Sequence, residues 1–143
     1  MSGNRHKTRE FAVQGIYQWL LNQQPLPGLV KQLRDADGFA AIDEAMLLTL
    51  LAGVINEVAL LDDYLRRYVD RKIAELSPVE HAVLLLGALE LLRQPDVPYR
   101  VVINEAVELT KTFGGTDGHK YVNGVMDKLA IELRSAEINK PRR

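Results

Sequence analysis

The chain has 143 residues, 47% of them hydrophobic and 26% charged, which is ordinary for a soluble globular protein with room for one sizeable core. It contains no cysteine, which excludes disulfides, thiolate metal sites and cysteine nucleophiles and fits a reducing compartment. No secretory signal is visible, and the apolar runs are shorter than the roughly 20 residues that cross a bilayer. We therefore expect a cytoplasmic protein without a membrane segment.

The net charge of −1 is distributed unevenly along the chain. Three basic residues lie near each end: Arg5, Lys7 and Arg9, and Lys140, Arg142 and Arg143. Residues 10–139 carry the other 12 basic residues against all 19 acidic residues, a net charge of −7. An acidic body with basic ends is not typical of a protein that coats DNA, but it suits local contact with a polyanion.

The first predicted helix covers residues 4–22, because apolar residues recur at helical spacing from Ala12 to Leu20. Its first turns are basic, although the helix dipole disfavours cations at an N-terminus by a few tenths of a kcal/mol each. Two interpretations stay open: a frayed, solvated end, or a basic arm that binds an anionic ligand. Tyr17 is either an edge of the core or a platform on which a base stacks.

A turn at residues 23–28 and a short helix at 29–33 precede a long apolar helix at 42–61. A further helical stretch, residues 62–76, continues that helix or follows a bend. It carries Tyr64 and Tyr68 together with Arg66, Arg67, Arg71 and Lys72. Such aromatic and basic side chains are the combination that binds single-stranded nucleic acid. The alternative is that the tyrosines are half-buried and the arginines pair with Asp62, Asp63 and Asp70.

The most apolar predicted helix spans about residues 77–92 and begins with Ser77 as N-cap, followed by Pro78 and, at the capping-box position, Glu80. Every residue from Ala82 to Leu89 is apolar or glycine, so no polar stripe faces water. The sequence therefore predicts an all-α protein organised around a central buried helix.

Two more helices follow, one from near Arg100 to Phe113 and one at residues 119–136, with Gly114 predicted as the residue that ends the first of them. Gly124 lies inside the second helix, where glycine is unfavourable by about 1 kcal/mol relative to alanine. This indicates close approach by another backbone.

Residues 96–128 read DVPYRVVINEAVELTKTFGGTDGHKYVNGVMDK. This block resembles the NusB family of bacterial transcription antitermination factors, whose members carry a DVP, an INEAVELAK-like run, an FG loop and FVNGVLD. The resemblance continues in REFAVQGIYQW, LLAGV and VEHAVLLLGALEL and thus covers nearly the whole chain. It implies two small helical bundles packed into one compact domain, with halves at about 4–76 and 77–136 and a basic mobile tail at 137–143.

The resemblance also implies a function without catalysis or cofactors. Family members pair with the ribosomal protein that acts as NusE, bind boxA RNA of ribosomal RNA operons and help RNA polymerase read through terminators. We expect RNA-binding residues at the basic start, at the corner before the last long helix and at two tyrosines: Arg5, His6, Lys7, Arg9, Tyr17, Tyr68, Asp117, His119, Lys120 and Tyr121. Glu80 is the residue expected to contact the protein partner. A homodimer is also compatible with the sequence.

The chain departs from the family pattern at several of these positions. His6 and Lys7 stand where arginines are common, and Tyr121 replaces a frequent Phe. Gly118 replaces a frequent Ser, so a potential N-cap is missing there. Leu85 and Leu89 take places where Arg and Tyr are usual, which puts polar contacts from the central helix in doubt.

The residues at the corner have a chemistry of their own. Tyr121 offers a stacking face beside Lys120 and His119, at a helix N-terminus that favours phosphate. Asp117 either accepts hydrogen bonds from base amino groups or caps the helix. A hydrolase that uses Asp117 and His119 as an acid–base pair is the competing class, but no nucleophile, second histidine or metal-ligand cluster accompanies them. A helical protein–protein module without RNA affinity is the other alternative, because the acidic body suits a basic partner.

Overall fold

The computed structural model describes residues 4–114 and 117–140, which form an all-α structure without a strand in those two ranges. The helices of these ranges are α1 (Arg5–Asn22), α2 (Leu26–Arg34), α3 (Glu44–Arg66), α4 (Pro78–Arg93), α5 (Tyr99–Phe113), α6 (Gly118–Leu133) and α7 (Ser135–Ile138). Short 3₁₀ turns lie at Phe39–Ala41 and Ile73–Glu75. The predicted fold class is confirmed.

Helix α4 is the centre of the molecule, as its composition predicts. The Ser77 side chain accepts a hydrogen bond from the Glu80 backbone N–H at 3.1 Å, so the predicted N-cap is formed. All residues from Ala82 to Leu91 are buried, and α4 packs against α1, α3, α5 and α6. Because it has neighbours on several sides, it has no need of a polar face.

Helix α4 lies between the two bundles and packs against both. Helices α1, α2 and α3 pack together on one side, and α5 and α6 form the most extensive helix pair on the other. Leu85 and Leu89 are 0% and 2% exposed. These two positions therefore contribute packing and present no side chain to a partner.

Helix α3 continues through a kink at Glu57 as far as Arg66, which agrees with the interpretation that the residues after Leu61 continue the long helix. Residues 67–72 that follow are not helical, which corrects the expected helical stretch at 62–76. By length and composition alone α3 is able to cross a membrane. We interpret it as a core helix, because Leu47, Leu51 and Val54 are fully buried against the bundle.

The C-terminal end also differs in detail from the prediction. Gly114 has φ of −102°, an extended conformation open to any residue, so the expected left-handed helix end is absent at this glycine. Helix α6 ends at Leu133, and α7 extends to Ile138, two residues into the predicted tail. Residues 141–143 of that tail lie outside the described residues.

Gly124 corrects another expectation, since no atom lies within 4 Å of the position that a Cβ would occupy. Its backbone is helical and exposed, so Gly124→Ala is expected to raise the free energy of unfolding by about 0.5–1 kcal/mol. Gly87→Ala is the contrasting variant, because its Cβ would lie 2.5 Å from Met126 Cε. Urea unfolding that ranks Gly87→Ala as the more stable of the two would contradict this packing.

Acid is expected to destabilise the fold through carboxylates that join different helices. Hydrogen bonds from Arg93 lower the pKa of Glu57, and hydrogen bonds from the Tyr99 backbone N–H and from Arg134 lower that of Glu137. A folded-state pKa below the ordinary Glu value of about 4.3 gives stability that is present above that value and lost as the pH falls through the folded pKa. Urea unfolding from neutral pH to about pH 3 tests this. In Glu57→Gln and in Glu137→Gln the free energy of unfolding should fall less steeply with decreasing pH than in the wild type. An unchanged fall in both variants would refute this role of the two carboxylates.

Candidate nucleic-acid interface

Arg9, predicted as part of an exposed basic arm, is a core residue that is only 2% exposed. Its Nε and Nη2 donate to both oxygens of Glu90 at 2.8–3.1 Å, and its Nη1 donates to Glu105 Oε1 at 3.0 Å. Burial alone would lower the pKa of Arg9, but the hydrogen bonds and charges of the two carboxylates raise it. All three nitrogens of this guanidinium donate to carboxylates inside the protein, which favours a structural role for Arg9 over a place in an RNA-facing arm.

The rest of the basic start is partly neutralised by acidic residues. His6 Nδ1 lies 2.7 Å from Glu105 Oε2, and its Nε2 lies 3.5 Å from Glu10. Lys7 Nζ lies 3.3 Å from Glu10 Oε1, and 45% of its side chain is exposed. Arg5 is exposed at the rim of a shallow depression of about 240 Å³ that it shares with Asp43 and Glu90. This end of α1 therefore offers less positive charge to RNA than its sequence indicates.

Tyr17 lies half-buried in a groove of about 570 Å³ between α1 and α2. The groove is lined by apolar residues and glutamines: Val13, Gln14, Tyr17, Gln18, Leu29, Gln32, Leu33, Ala36, Val79 and Phe113. Val79 and Phe113 bring the groove next to the start of α4 and the end of α5. Tyr17 thus lies on the edge of the core with part of its side chain accessible.

Tyr68 and its basic neighbours are mostly held by acidic partners. The Tyr68 hydroxyl donates to Glu132 Oε1 at 2.6 Å, a hydrogen bond that raises the pKa of Tyr68. Arg67 pairs with the same carboxylate, and its guanidinium lies over the Tyr64 ring at 5.1 Å. Arg66 pairs with Asp63. This agrees with the alternative in which the tyrosines are half-buried and the arginines are paired, except that Arg67 pairs with Glu132 and Asp62 pairs with His81.

The corner at the start of α6, residues 117–121, presents two highly exposed candidate residues. Asp117 and Lys120 have side chains that are 83% and 76% exposed, and their charged groups lie 3.9 Å apart. The Asp117 side chain makes no hydrogen bond that caps α6 among the described residues. His119 and Tyr121 are half-buried. The corner therefore combines one cation, one carboxylate and one aromatic ring at a helix N-terminus.

Tyr121 is tied to the chain segment between α3 and α4. Its hydroxyl accepts a hydrogen bond from the Asp70 backbone N–H at 3.2 Å, and the Arg71 guanidinium lies 4.5 Å from the centre of its ring. Burial is the main cause that raises the pKa of Tyr121. Arg71 also lies at this corner, which the sequence does not predict. Fifty positions separate Arg71 from Tyr121, and no local pattern joins them.

Glu80, the residue predicted to contact the protein partner, borders the same corner. It lies in the first turn of α4, and its Oε2 lies 2.9 Å from the position that a Cβ on Gly118 would take. The absence of a side chain at Gly118 thus leaves room for this carboxylate. Replacement of Gly118 by serine, the residue frequent in the family, would require Glu80 to move.

His6, in the basic start, and Tyr17 lie near the two ends of α1. His6 is bound to α5 through Glu105, whereas Tyr17 lines the groove that Phe113 also lines. Eleven residues separate His6 from Tyr17, so they lie on the same face of α1, about 16 Å apart along its axis. A strand of a few nucleotides can therefore extend from His6 to Tyr17.

Asp117 and His119 do not form the acid–base pair of the hydrolase alternative. The charged partner of Asp117 in the described part of the chain is Lys120 at 3.9 Å, and His119 Nδ1 is buried without a hydrogen-bond partner there. No group of three or more potential metal ligands is found among the residues that the structure describes. The geometry of the corner suits binding more than proton transfer.

A family model described as the NusB family matches residues 6–131. The chain belongs to this family. It is 55% identical over 139 residues to transcription antitermination protein NusB of Chromobacterium violaceum, with 96% of this chain and 93% of that protein covered.

Solved structures of the family share the fold. The fold matches T. maritima NusB with a TM-score of 0.81 at 27% identity, covering 92% of this chain and 94% of that one. It also matches, with a TM-score of 0.78 at 22% identity, a chain in a structure of the antitermination factors NusB and NusE in complex with double-stranded RNA. That match covers 89% of this chain and 96% of the other.

Proposed function

We propose that this NusB-family chain is an RNA-binding adaptor of transcription antitermination that acts without catalysis. With the ribosomal protein that acts as NusE, it binds boxA RNA of ribosomal RNA operons in the cytoplasm and helps RNA polymerase read through terminators. It does so as a single domain that comprises residues 1–143. Family membership over residues 6–131 is the observation that carries this proposal.

The surface chemistry supports the same function. The Lys120 side chain is exposed one residue before Tyr121, and Tyr17 lies half-buried in the groove between α1 and α2. A single strand is bound by cations along its phosphates and by aromatic rings under its bases, at about 1–3 kcal/mol per stacked base. The corner has both components, so we assign the main RNA contacts to Asp117, His119, Lys120 and Tyr121, with lesser contributions from Arg5, His6, Lys7, Tyr17 and Tyr68.

The small number of exposed cations predicts weak binding of RNA by the isolated chain and tighter binding with the ribosomal protein. The charge balance over residues 10–139 is −7, which repels a polyanion and favours a basic partner. Fluorescence anisotropy of labelled boxA RNA, with and without the ribosomal protein, measures both affinities. Equal affinity in the two titrations would contradict the adaptor.

Tyr121→Ala and Lys120→Ala are the variants that locate the interface. Tyr121→Ala should weaken RNA binding by at least about fivefold, the effect of one lost stacking contact. Lys120→Ala should reduce the slope of log K against log salt by about 0.7, the value for one phosphate contact on a single strand. Lys111→Ala, which removes another exposed lysine outside the corner, is the matched control. Equal RNA affinities of the three variants would show that the corner is not part of the RNA interface.

A further inference from the structure

Arg71 is the basic residue that lies directly against the Tyr121 ring. Its guanidinium is 4.5 Å from the ring centre, within the range of a cation–π interaction. The carboxylate of Asp70 holds the same guanidinium through hydrogen bonds of 2.7 Å from Nε and 3.3 Å from Nη2. The backbone N–H of Asp70 also donates to the Tyr121 hydroxyl. Two contacts therefore join the 70–71 turn to Tyr121, and the pairing of Asp70 with Arg71 stabilises the turn itself.

Arg71 differs from the other arginines of its segment in what it contacts. Arg66 pairs with Asp63 one helical turn earlier, and Arg67 pairs with Glu132 on α6. Neither interaction involves a residue of the corner. Arg71 instead reaches the aromatic ring that is proposed to stack on RNA, while 41% of its side chain stays exposed to solvent.

This placement determines what a nucleotide meets at the corner. A base that approaches Tyr121 from the side of Arg71 reaches the guanidinium before it reaches the ring. A guanidinium is planar and always charged, stacks on RNA bases and binds phosphate through a fork of donors. The 70–71 turn also borders a shallow depression of about 580 Å³ that Lys72 helps to line, so there is space beside Arg71 for a nucleotide.

We propose that Arg71 is an RNA-binding residue on which a base of single-stranded RNA stacks, with Tyr121 supporting the guanidinium from the other side. The proposal rests on the proposed function and adds to it a contact from the segment between α3 and α4. Asp70 is the positioning residue, because its carboxylate orients the guanidinium and its N–H fixes the tyrosine. The outer layer of the stack is then cationic, which places a charge within reach of the adjacent phosphate.

The test measures anisotropy of labelled single-stranded boxA RNA with the full chain and its ribosomal-protein partner. Arg71→Ala should weaken binding by at least about fivefold. Arg71→Lys should recover less than half of the lost binding free energy, since lysine keeps the charge but lacks the planar group. Arg34→Ala is the matched control, because it removes the same charge from an exposed, carboxylate-paired side chain on α2 that does not line the depression beside Arg71, and it should have a much smaller effect. Circular dichroism melting of each variant checks that the fold is intact.

A series of RNAs, each with one abasic nucleotide, separates stacking from charge. For one of these RNAs, Arg71→Ala should weaken binding no more than Arg34→Ala does, because the stacked base is already missing. Equal effects of Arg71→Ala on every abasic RNA, or full recovery by Arg71→Lys, would show that Arg71 contributes only its charge and would overturn the proposal.

Weaker binding of the ribosomal protein in the absence of RNA, with RNA affinity unchanged, would assign Arg71 to the protein interface instead. If the wild-type chain with its partner does not bind boxA RNA, the proposed function fails as well; if it binds and the Arg71 variants bind equally, only this assignment fails.

Discussion

Replacing Arg9 by alanine is expected to lower the free energy of unfolding by about 3–5 kcal/mol, the usual cost of removing one partner from a buried ion pair. Two carboxylates depend on this guanidinium: Glu90, which is 2% exposed, and Glu105, which is largely buried. Without Arg9, the buried Glu90 carboxylate loses the side chain that donates its hydrogen bonds. The melting temperature should fall by roughly 10 °C for a chain of this size.

Two variants separate this structural role from a role in RNA binding. Arg5→Ala removes an exposed charge from the same helix end and should change stability by less than about 0.5 kcal/mol. The double variant Arg9→Met with Glu90→Leu replaces the buried pair by apolar groups and should recover most of the lost stability. A melting temperature of Arg9→Ala equal to that of the wild type, together with lost RNA affinity, would show that Arg9 is an RNA-binding residue of the basic arm.

Arg134→Ala is expected to cost about 3 kcal/mol, because this buried guanidinium satisfies backbone carbonyls where α4 ends. It donates to four carbonyl oxygens at 2.7–3.1 Å, those of Glu90, Leu91, Gln94 and Val97. The last carbonyls of a helix have no partner within the helix, so a side chain from elsewhere must supply the donors. Arg134, just after α6, thus joins the end of α4 and the turn before α5 to the C-terminal helices.

Urea unfolding of three variants measures this contribution. Arg134→Lys should recover less than half of the lost stability, because an ammonium group lacks the five-donor fork that reaches four oxygens. Arg100→Ala is the matched control, since Arg100 is exposed and its guanidinium lies over Tyr99. A loss in Arg134→Ala as small as that in Arg100→Ala would show that solvent replaces these hydrogen bonds without cost.

The sequence predicts the helices and the central position of α4 because both follow from local patterns. Ser77 marks where helix α4 begins. Because α4 has no polar face, it must pack against neighbours on several sides. The kink at Glu57 and the end of α3 at Arg66 were not predicted, because the residues that follow Leu61 keep helical spacing and no proline interrupts them before Pro78. The left-handed end predicted at Gly114 failed because glycine permits that conformation but does not impose it.

The candidate site was less predictable, because its charged groups are paired by residues distant in sequence. Arg9 resembles the other cations of the first turn, and only its partners on α4 and α5 distinguish it. Glu90 was the available signal: a carboxylate inside an otherwise apolar buried helix requires a buried cation. The contact between Arg71 and Tyr121 has no such signal, since both residue types are common on surfaces and the fold alone joins them.

Photo-cross-linking with boxA RNA that carries 4-thiouridine, followed by mass spectrometry of the peptides, would show where RNA contacts the protein. If RNA contacts the corner where α6 begins and the 70–71 turn, adducts are expected on the peptides that contain Arg71 and Tyr121. Excess unlabelled RNA should suppress these adducts. Adducts confined to the exposed residues of α2 or of the middle of α3, with none at the corner, would contradict this assignment of the interface.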